Sequence, residues 1–364
     1  MFFCTKIPAA ALFLALQPAF AAVPAEPSQG EVPHSNEFNA STFGEKAKDR
    51  GHSIAPLVGY DPTFGVVAGG AYFFQGEQVN FGLDASLNFR EVYQTHGRFS
   101  INLADRARTE GNFTFIKGFA PYYGEGGVTP PTMRQIWGNR FEVQSKMLFQ
   151  ITDKFSVGGI ADLRSRTEVG APDGGTFNRV APDSSVFAVG LISEYDTRRD
   201  KTRSTDGFVF TQEILHGPPQ AGRPSFTQFN GSFVVYKEIM EGFIPDVVAA
   251  FRLMGGASIG DVPYAFRYQL GGAKLLPGYL ENRFRGSRFY LQQTELRFPI
   301  WRMIGGAFSL GFGDASDGEF IAPKMAYGVG LRIGLPPDWI SKIRVDICFG
   351  KDQFGVFADF GQTF

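Results

Sequence analysis

The chain has 364 residues with a formal net charge of −1 at pH 7, and carries 45 Gly and 39 Phe against 3 Trp and 12 Tyr. Near-neutral charge provides no basic field for nucleic acid, so none is expected as a partner. A mean hydropathy of −0.09 excludes a bundle of membrane helices, each of which needs about 20 apolar residues in a row. The first segment is "MFFCTKIPAAALFLALQPAFAAVPAEP". Lys6 precedes an apolar run from Ala9 to Leu16, Pro18 breaks the run, and Ala19-Phe20-Ala21 supplies a small-residue cleavage pattern. This predicts a secretory signal over 1–21, since the run is too short for a membrane anchor. Cys4 lies ahead of the apolar core, where a lipoprotein cysteine would follow it. Cleavage would leave Cys348 as the only cysteine, so no internal disulfide is expected in an oxidising compartment. Residues 22–51, rich in Pro, Glu, Ser, Asn and Lys without periodicity, read as a flexible periplasmic leader.

From residue 52 to the end the apolar residues recur with period two. In "VNFGLDASLNFR", 79–90, Val79, Phe81, Leu83, Ala85, Leu87 and Phe89 share one face, and Asn80, Gly82, Asp84, Ser86, Asn88 and Arg90 share the other. The same rhythm sets Phe99, Ile101 and Leu103 against Arg98, Ser100 and Asn102. It sets Ile343, Val345, Ile347 and Phe349 against Lys342, Arg344, Asp346 and Cys348. Sixteen such strands are predicted: 52–60, 64–75, 78–90, 94–104, 109–118, 134–150, 154–166, 184–196, 207–216, 224–238, 245–257, 287–299, 303–313, 324–334, 342–349 and 353–363.

Connector lengths test the pattern independently. One set of connections is short, as in "TDK" at 152–154, "RMI" at 302–304 and "PPDWISK" at 336–342, with "RRDKTRSTD" at 198–206 as the exception. The alternate set holds the long ones: 119–133, 167–183, 217–223, 258–286 and 314–323. Short turns at one end and long loops at the other are the habit of outer-membrane barrels. The two-faced strands agree, because a closed barrel puts apolar faces in lipid and polar faces in the lumen while leaving no open edge. The expected fold is therefore all-β: a transmembrane antiparallel β-barrel of 16 strands over 52–364. It ends "FGVFADFGQTF", where Phe360 and the terminal Phe364 share the apolar face of the last strand.

The longest connection opens the stretch "LGGAKLLPGYLENRFRGSRFYLQQTELRFPI", 270–300. A sixteen-stranded lumen is too wide for wall side chains to fill, so a long outer loop folded inward could occupy it. Its arginines, Arg283, Arg285 and Arg288, would then need carboxylates, for which Glu295, Asp346, Asp162, Glu142 and Asp84 are candidates.

These stretches resemble the BamA/TamA-like surface-antigen superfamily of outer-membrane assembly and translocation proteins. The lumen-loop motif is carried by Leu270, Gly271, Gly272, Leu276, Pro277, Gly278, Tyr279, Arg283 and Arg285, followed by Glu295 and Arg297 in "QTELRFPI". "YDTRRDKTRSTDGFVF", 195–210, is similar to the family's periplasmic turn, through Asp196, Thr197, Arg198, Asp200 and Gly207. "PLVGYDPTFGVVAGGAYFF", 56–74, resembles its first hairpin, and Phe360 and Phe364 its C-terminal signal. The resemblance implies an outer-membrane location and a barrel whose sixth outer loop enters the lumen. It also implies a part in inserting outer-membrane proteins or translocating polypeptides, or in anchoring a passenger domain. The implied partners are outer-membrane lipid, client barrel proteins and a separate periplasmic protein. Two departures stand out. The thirty-residue leader is too short for the periplasmic (POTRA) domains that usually precede the barrel, and Pro277 replaces the usual Arg before Gly-Tyr. Arg283 or Arg285 is expected to take over that arginine's ion pair, with Glu295 or Asp346 as partner. A plugged, non-catalytic transport pore and a surface structural protein or adhesin stay open as alternatives.

No catalytic role is expected, and no cofactor or metal. Of the four histidines, His34 lies in the leader, His52 at a strand edge and His216 at a loop. His96 and Ser100 share a strand face but sit about 13 Å apart, beyond the reach of a nucleophile–base pair. "DASDGE", 314–319, lacks the ligand spacing of a calcium loop.

Overall fold

A computed structural model describes residues 51–61, 65–88, 92–122, 134–173, 176–179, 183–199, 204–220, 222–239, 246–320, 323–334, 342–351 and 353–360. The expected signal and leader lie outside the described residues, apart from Gly51, which begins β1. The strands are β1 (Gly51–Asp61), β2 (Gly65–Gln75), β3 (Val79–Asn88), β4 (Tyr93–Ala104), β5 (Ala107–Tyr122), β6 (Arg134–Thr152), β7 (Phe155–Asp173), β8 (Thr176–Arg179), β9 (Ser184–Asp196), β10 (Gly207–Gly217), β11 (Phe226–Glu238), β12 (Val248–Gly260), β13 (Tyr268–Leu270), β14 (Phe284–Gly286), β15 (Arg288–Trp301), β16 (Ile304–Ser316), β17 (Lys324–Gly334), β18 (Lys342–Gly350) and β19 (Gln353–Phe360).

Each wall strand pairs antiparallel with its chain neighbour, and β1 pairs with β19 to close the ring. The sheet has seventeen strands; without the four-residue β8, a hairpin extension of β7, sixteen form the closed barrel. β13 and β14 form a separate two-stranded sheet. The strand count expected from the sequence is borne out, whereas the β11–β12 connection, 239–247 on the expected short side, is longer than 317–323 on the expected long side.

The alternation decides which way each side chain points. On β9, Phe187, Val189 and Leu191 are exposed on the outer face, while Val186, Ala188, Ile192 and Glu194 are buried on the inner one. The outer face continues through Leu87, Phe115, Phe149, Leu163, Ile214, Leu253, Phe308 and Leu331, all exposed. Such a belt is unstable against water and stable against hydrocarbon. The inner face carries buried charge at Asp84, Glu142, Lys146, Asp162, Arg252, Glu295, Arg332 and Arg344.

Two expectations need correction. The lumen is not uniformly polar. Leu148, Ile160, Ile192, Leu215, Phe226, Met254, Phe289 and Leu291 are buried on inner faces, because they form apolar seats for the segment between β12 and β15. The stretches assigned to loops at 119–133 and 167–183 are also partly strand: β5 runs on to Tyr122, and β7 to Asp173 before turning into β8. Beyond the lipid both faces of a strand meet water, so the alternation that reveals strands in the sequence fades there.

Val189→Arg, in the middle of the outer face of β9, is expected to cost about 2–4 kcal/mol of folding free energy in lipid vesicles, read by urea titration. No measurable cost would contradict a lipid-facing position.

Candidate functional site

The segment between β12 and β15 builds the site. It leaves the wall at Gly260, forms a single 3-10 turn at Tyr264–Phe266, and pairs β13 with β14 through Tyr268↔Gly286, Gln269↔Arg285 and Leu270↔Phe284. The head of this hairpin, 271–283, folds on itself: Gly271 N donates to Leu275 O at 2.7 Å and Gly272 N to Tyr279 O at 2.9 Å. Gly271, Gly272 and Gly278 have φ of 118°, 90° and 113°, a region that favours glycine. Leu276 sits at φ 68°, a costly position for a branched residue, and its fully buried side chain holds it there.

The segment is seated by apolar packing on two sides of the barrel. Leu270, Leu275, Leu276, Tyr279 and Phe284 cluster with Met254 of β12, Phe289 and Leu291 of β15, Ala315 of β16 and Ala326 of β17. Val262, Ala265 and Phe266 cluster with Leu148, Ile160, Ile192, Leu215 and Phe226 from β6, β7, β9, β10 and β11. Full burial of each leucine is worth about 1.5–3 kcal/mol, so these clusters dominate the seat.

Polar contacts add direction, and one set of them has the wall donating to backbone carbonyls of the segment. Arg252 Nη2 of β12 donates to Lys274 O at 2.6 Å, and Gln293 Nε2 of β15 donates to the same oxygen at 3.3 Å. Arg344 Nη2 of β18 donates to Ala273 O at 3.4 Å. Across the lumen, Arg164 Nη1 of β7 donates to Ala265 O at 3.4 Å and Gln228 Nε2 of β11 to Phe266 O at 2.8 Å. The Arg164 guanidinium also lies 4.3 Å above the Phe266 ring.

Four of the carboxylates singled out in the sequence, Glu295, Asp346, Asp162 and Glu142, fall into two inner-wall networks. Glu295 pairs with Arg297 at 2.6 Å and Arg332 at 3.3 Å, and Asp346 with Arg332 at 2.5 Å and Arg344 at 3.2 Å. On the other side, Asp162 pairs with Arg164 at 2.7 Å, and Glu142 with Arg140 at 2.8 Å and with Arg166. Asp84 pairs with His96 at 2.9 Å. The loop arginines stack on rings of their own segment: Arg283 lies 4.9 Å from the Phe284 centroid, and Arg285 lies 4.1 Å from that of Tyr264 and donates to Tyr264 O at 3.1 Å. Pro277 is buried in the head of the segment.

The turn after β9 is tied by its own side chains. Arg198 Nη2 donates to Asp196 Oδ2 at 3.0 Å and Arg198 Nη1 to Ser204 Oγ at 3.3 Å, while Thr197 Oγ1 accepts from Phe208 N at 2.8 Å. A Cβ at Gly207 (φ 100°) would come within 2.9 Å of Arg198 Cα, so this position requires glycine. Phe360 ends β19, whereas Asp200 and Phe364 lie outside the described residues.

Sequence reading missed the wall donors Arg164, Gln228, Arg252, Gln293 and Arg344. The parity of the strands shows that these residues face inward. Which carbonyl each would reach depends on strand register and loop path, which residue types do not encode.

A family model described as "Omp85 superfamily domain" matches residues 74–364. Solved structures with the same fold include BamA from Haemophilus ducreyi lacking POTRA domains 1–3 (TM-score 0.60, 12% identity), covering 86% of this chain and 70% of that one. They also include CdiB from Escherichia coli (TM-score 0.61, 10% identity, 84% and 62%) and CdiB from Acinetobacter baumannii (TM-score 0.58, 11% identity, 85% and 59%). The chain thus spans about three fifths of the CdiB chains. No curated protein matches the sequence.

Leu275→Ala is expected to lower unfolding free energy by about 2–5 kcal/mol through the cavity it leaves. Arg252→Met is expected to cost about 1.5–3 kcal/mol through the lost charged hydrogen bond. Urea titration of the folded barrel measures both; a near-zero cost for both variants would mean the seat is not formed.

Proposed function

The chain belongs to the Omp85 superfamily of outer-membrane barrels, and on that premise we propose that it acts in inserting or translocating outer-membrane proteins or other polypeptides. The observation that carries this reading is the closing seam. Among the described residues β1 and β19 share one register pair, Tyr60↔Ala358, whereas β1 and β2 share eleven and β18 and β19 share eight. If the wall parts where its two chain ends meet, the freed strand edge is a template for an incoming strand. Pro56 of β1 has no N–H to give to any ladder. The seated segment between β12 and β15 favours a route at the side of the barrel over one through its centre. A separate periplasmic protein and client barrels are the partners this role needs. A signal at 1–21 and a leader at 22–51 fit the same reading.

A second reading, presentation of outer loops, draws on a different observation. β6 and β7 have 19 residues each, well beyond the roughly 9–11 that a tilted strand needs to cross a bilayer.

The test is a reversible lock. With Tyr60→Cys and Ala358→Cys in one chain, oxidation should hold the seam shut, and other barrel proteins should become depleted in the outer membrane until a reductant is added. Unchanged levels of those proteins, with the disulfide formed and the barrel folded, would remove the insertion role and leave presentation or pore formation.

A further inference from the structure

We propose that Tyr279 is a positioning residue: it latches the lumen segment to the β18–β19 turn, so that the segment braces one bank of the seam from across the barrel. Tyr279 is buried, 3% exposed, and its hydroxyl is used in both directions. Tyr279 Oη donates to Met325 O of β17 at 3.1 Å and accepts from Lys351 N at 3.0 Å, in the turn that starts β19. One phenol therefore joins the last three strands at their loop-bearing end. Leu280 N adds a bond to Gln353 Oε1 at 3.3 Å, on the first residue of β19.

Two glycines allow this closeness. A Cβ on Gly278 would stand 2.6 Å from Phe349 C and 2.9 Å from Gly350 N. A Cβ on Gly350 would stand 2.8 Å from the Tyr279 ring and 2.9 Å from Gly278 O. The backbones of the segment and of β18 thus touch with no side chain between them, and the Tyr279 ring lies over the bare Gly350. Phe284 packs edge-on against the ring, with centroids 5.2 Å apart.

The brace depends on where the segment's other end is fixed. Val262, Ala265 and Phe266 pack on β6, β7, β9, β10 and β11, with Arg164 and Gln228 bonded to their carbonyls. A force that pulls β19 away from β1 is therefore resisted through Tyr279 by the opposite wall. At the seam itself, the described resistance is the single register pair Tyr60↔Ala358. The functional meaning of the latch rests on the seam reading above, but the latch itself does not.

The experiment is hydrogen exchange by mass spectrometry on the full chain in lipid vesicles, comparing the native protein with Tyr279→Phe and with Gly350→Ala. Tyr279→Phe keeps the ring and removes both hydroxyl bonds; Gly350→Ala pushes the ring off. The expected result in both is exchange about tenfold faster in peptides covering 351–360, with β10 and β11 unchanged. Unchanged exchange at 351–360 in both variants would overturn the proposal. So would an equal rise over the whole barrel, which would mean general loosening. The seam lock reads the other claim separately: the exchange result can stand while the lock leaves barrel proteins unaffected, and the reverse also holds.

Discussion

A backbone amide in hydrocarbon has no water to turn to, and that constraint governs the whole wall. Each unpaired N–H or C=O there costs several kcal/mol, so strands can cross only if every neighbour is paired and the ring is closed. Sixteen antiparallel strands satisfy this with ladders of register pairs, and the outward Phe, Leu, Val and Ile side chains follow as the surface that lipid accepts. The same rule applies where β1 meets β19, the pairing that closes the ring, which the described residues make through Tyr60↔Ala358.

Closing the ring creates a second problem, a lumen that wall side chains cannot fill. The chain meets it with a segment seated by apolar clusters and by polar contacts in both directions, among them guanidinium groups of the wall donating to carbonyls of the segment. Charged donors such as Arg252 and Arg344 stay on rigid strands beside Gln293 and Asp346, and the loop offers backbone oxygens. Holding the guanidinium on the strand keeps its desolvation cost matched by fixed neighbours. Arg252, Arg344 and Arg164 reach carbonyls of the segment from the wall.

The barrel was largely legible in the sequence because lipid imposes a strict two-residue rhythm over 52–364. The predicted ranges 184–196 and 324–334 coincide with β9 and β17, and most others differ by a few residues. The rise of β5, β6 and β7 was not legible, since beyond the lipid no face need be apolar. β13 and β14, at three residues each, are too short to show any period. At the site, Gly278, Tyr279 and the glycines around them could be named from the motif, and Glu295 and Asp346 from their parity. Their partners Arg332 and Arg344 could not be chosen, because pairing across strands depends on register, here Arg332↔Arg344 and Gly330↔Asp346. Inward Leu148, Ile160 and Phe226 break the polar rule of the inner face because Val262, Ala265 and Phe266 cover them.

Unequal strand lengths give the molecule a lopsided skyline. β5, β6 and β7 have 16, 19 and 19 residues, while β18 and β19 have 9 and 8. At about 3.3 Å per residue the difference between the longest and shortest of these strands, over the described residues, is about 36 Å along the strand. The parapet stands over one quadrant, and the kerb is lowest beside β1. Anything that meets the barrel at the end where β5, β6 and β7 rise would therefore touch that crest first, well away from the flank where β1 and β19 join.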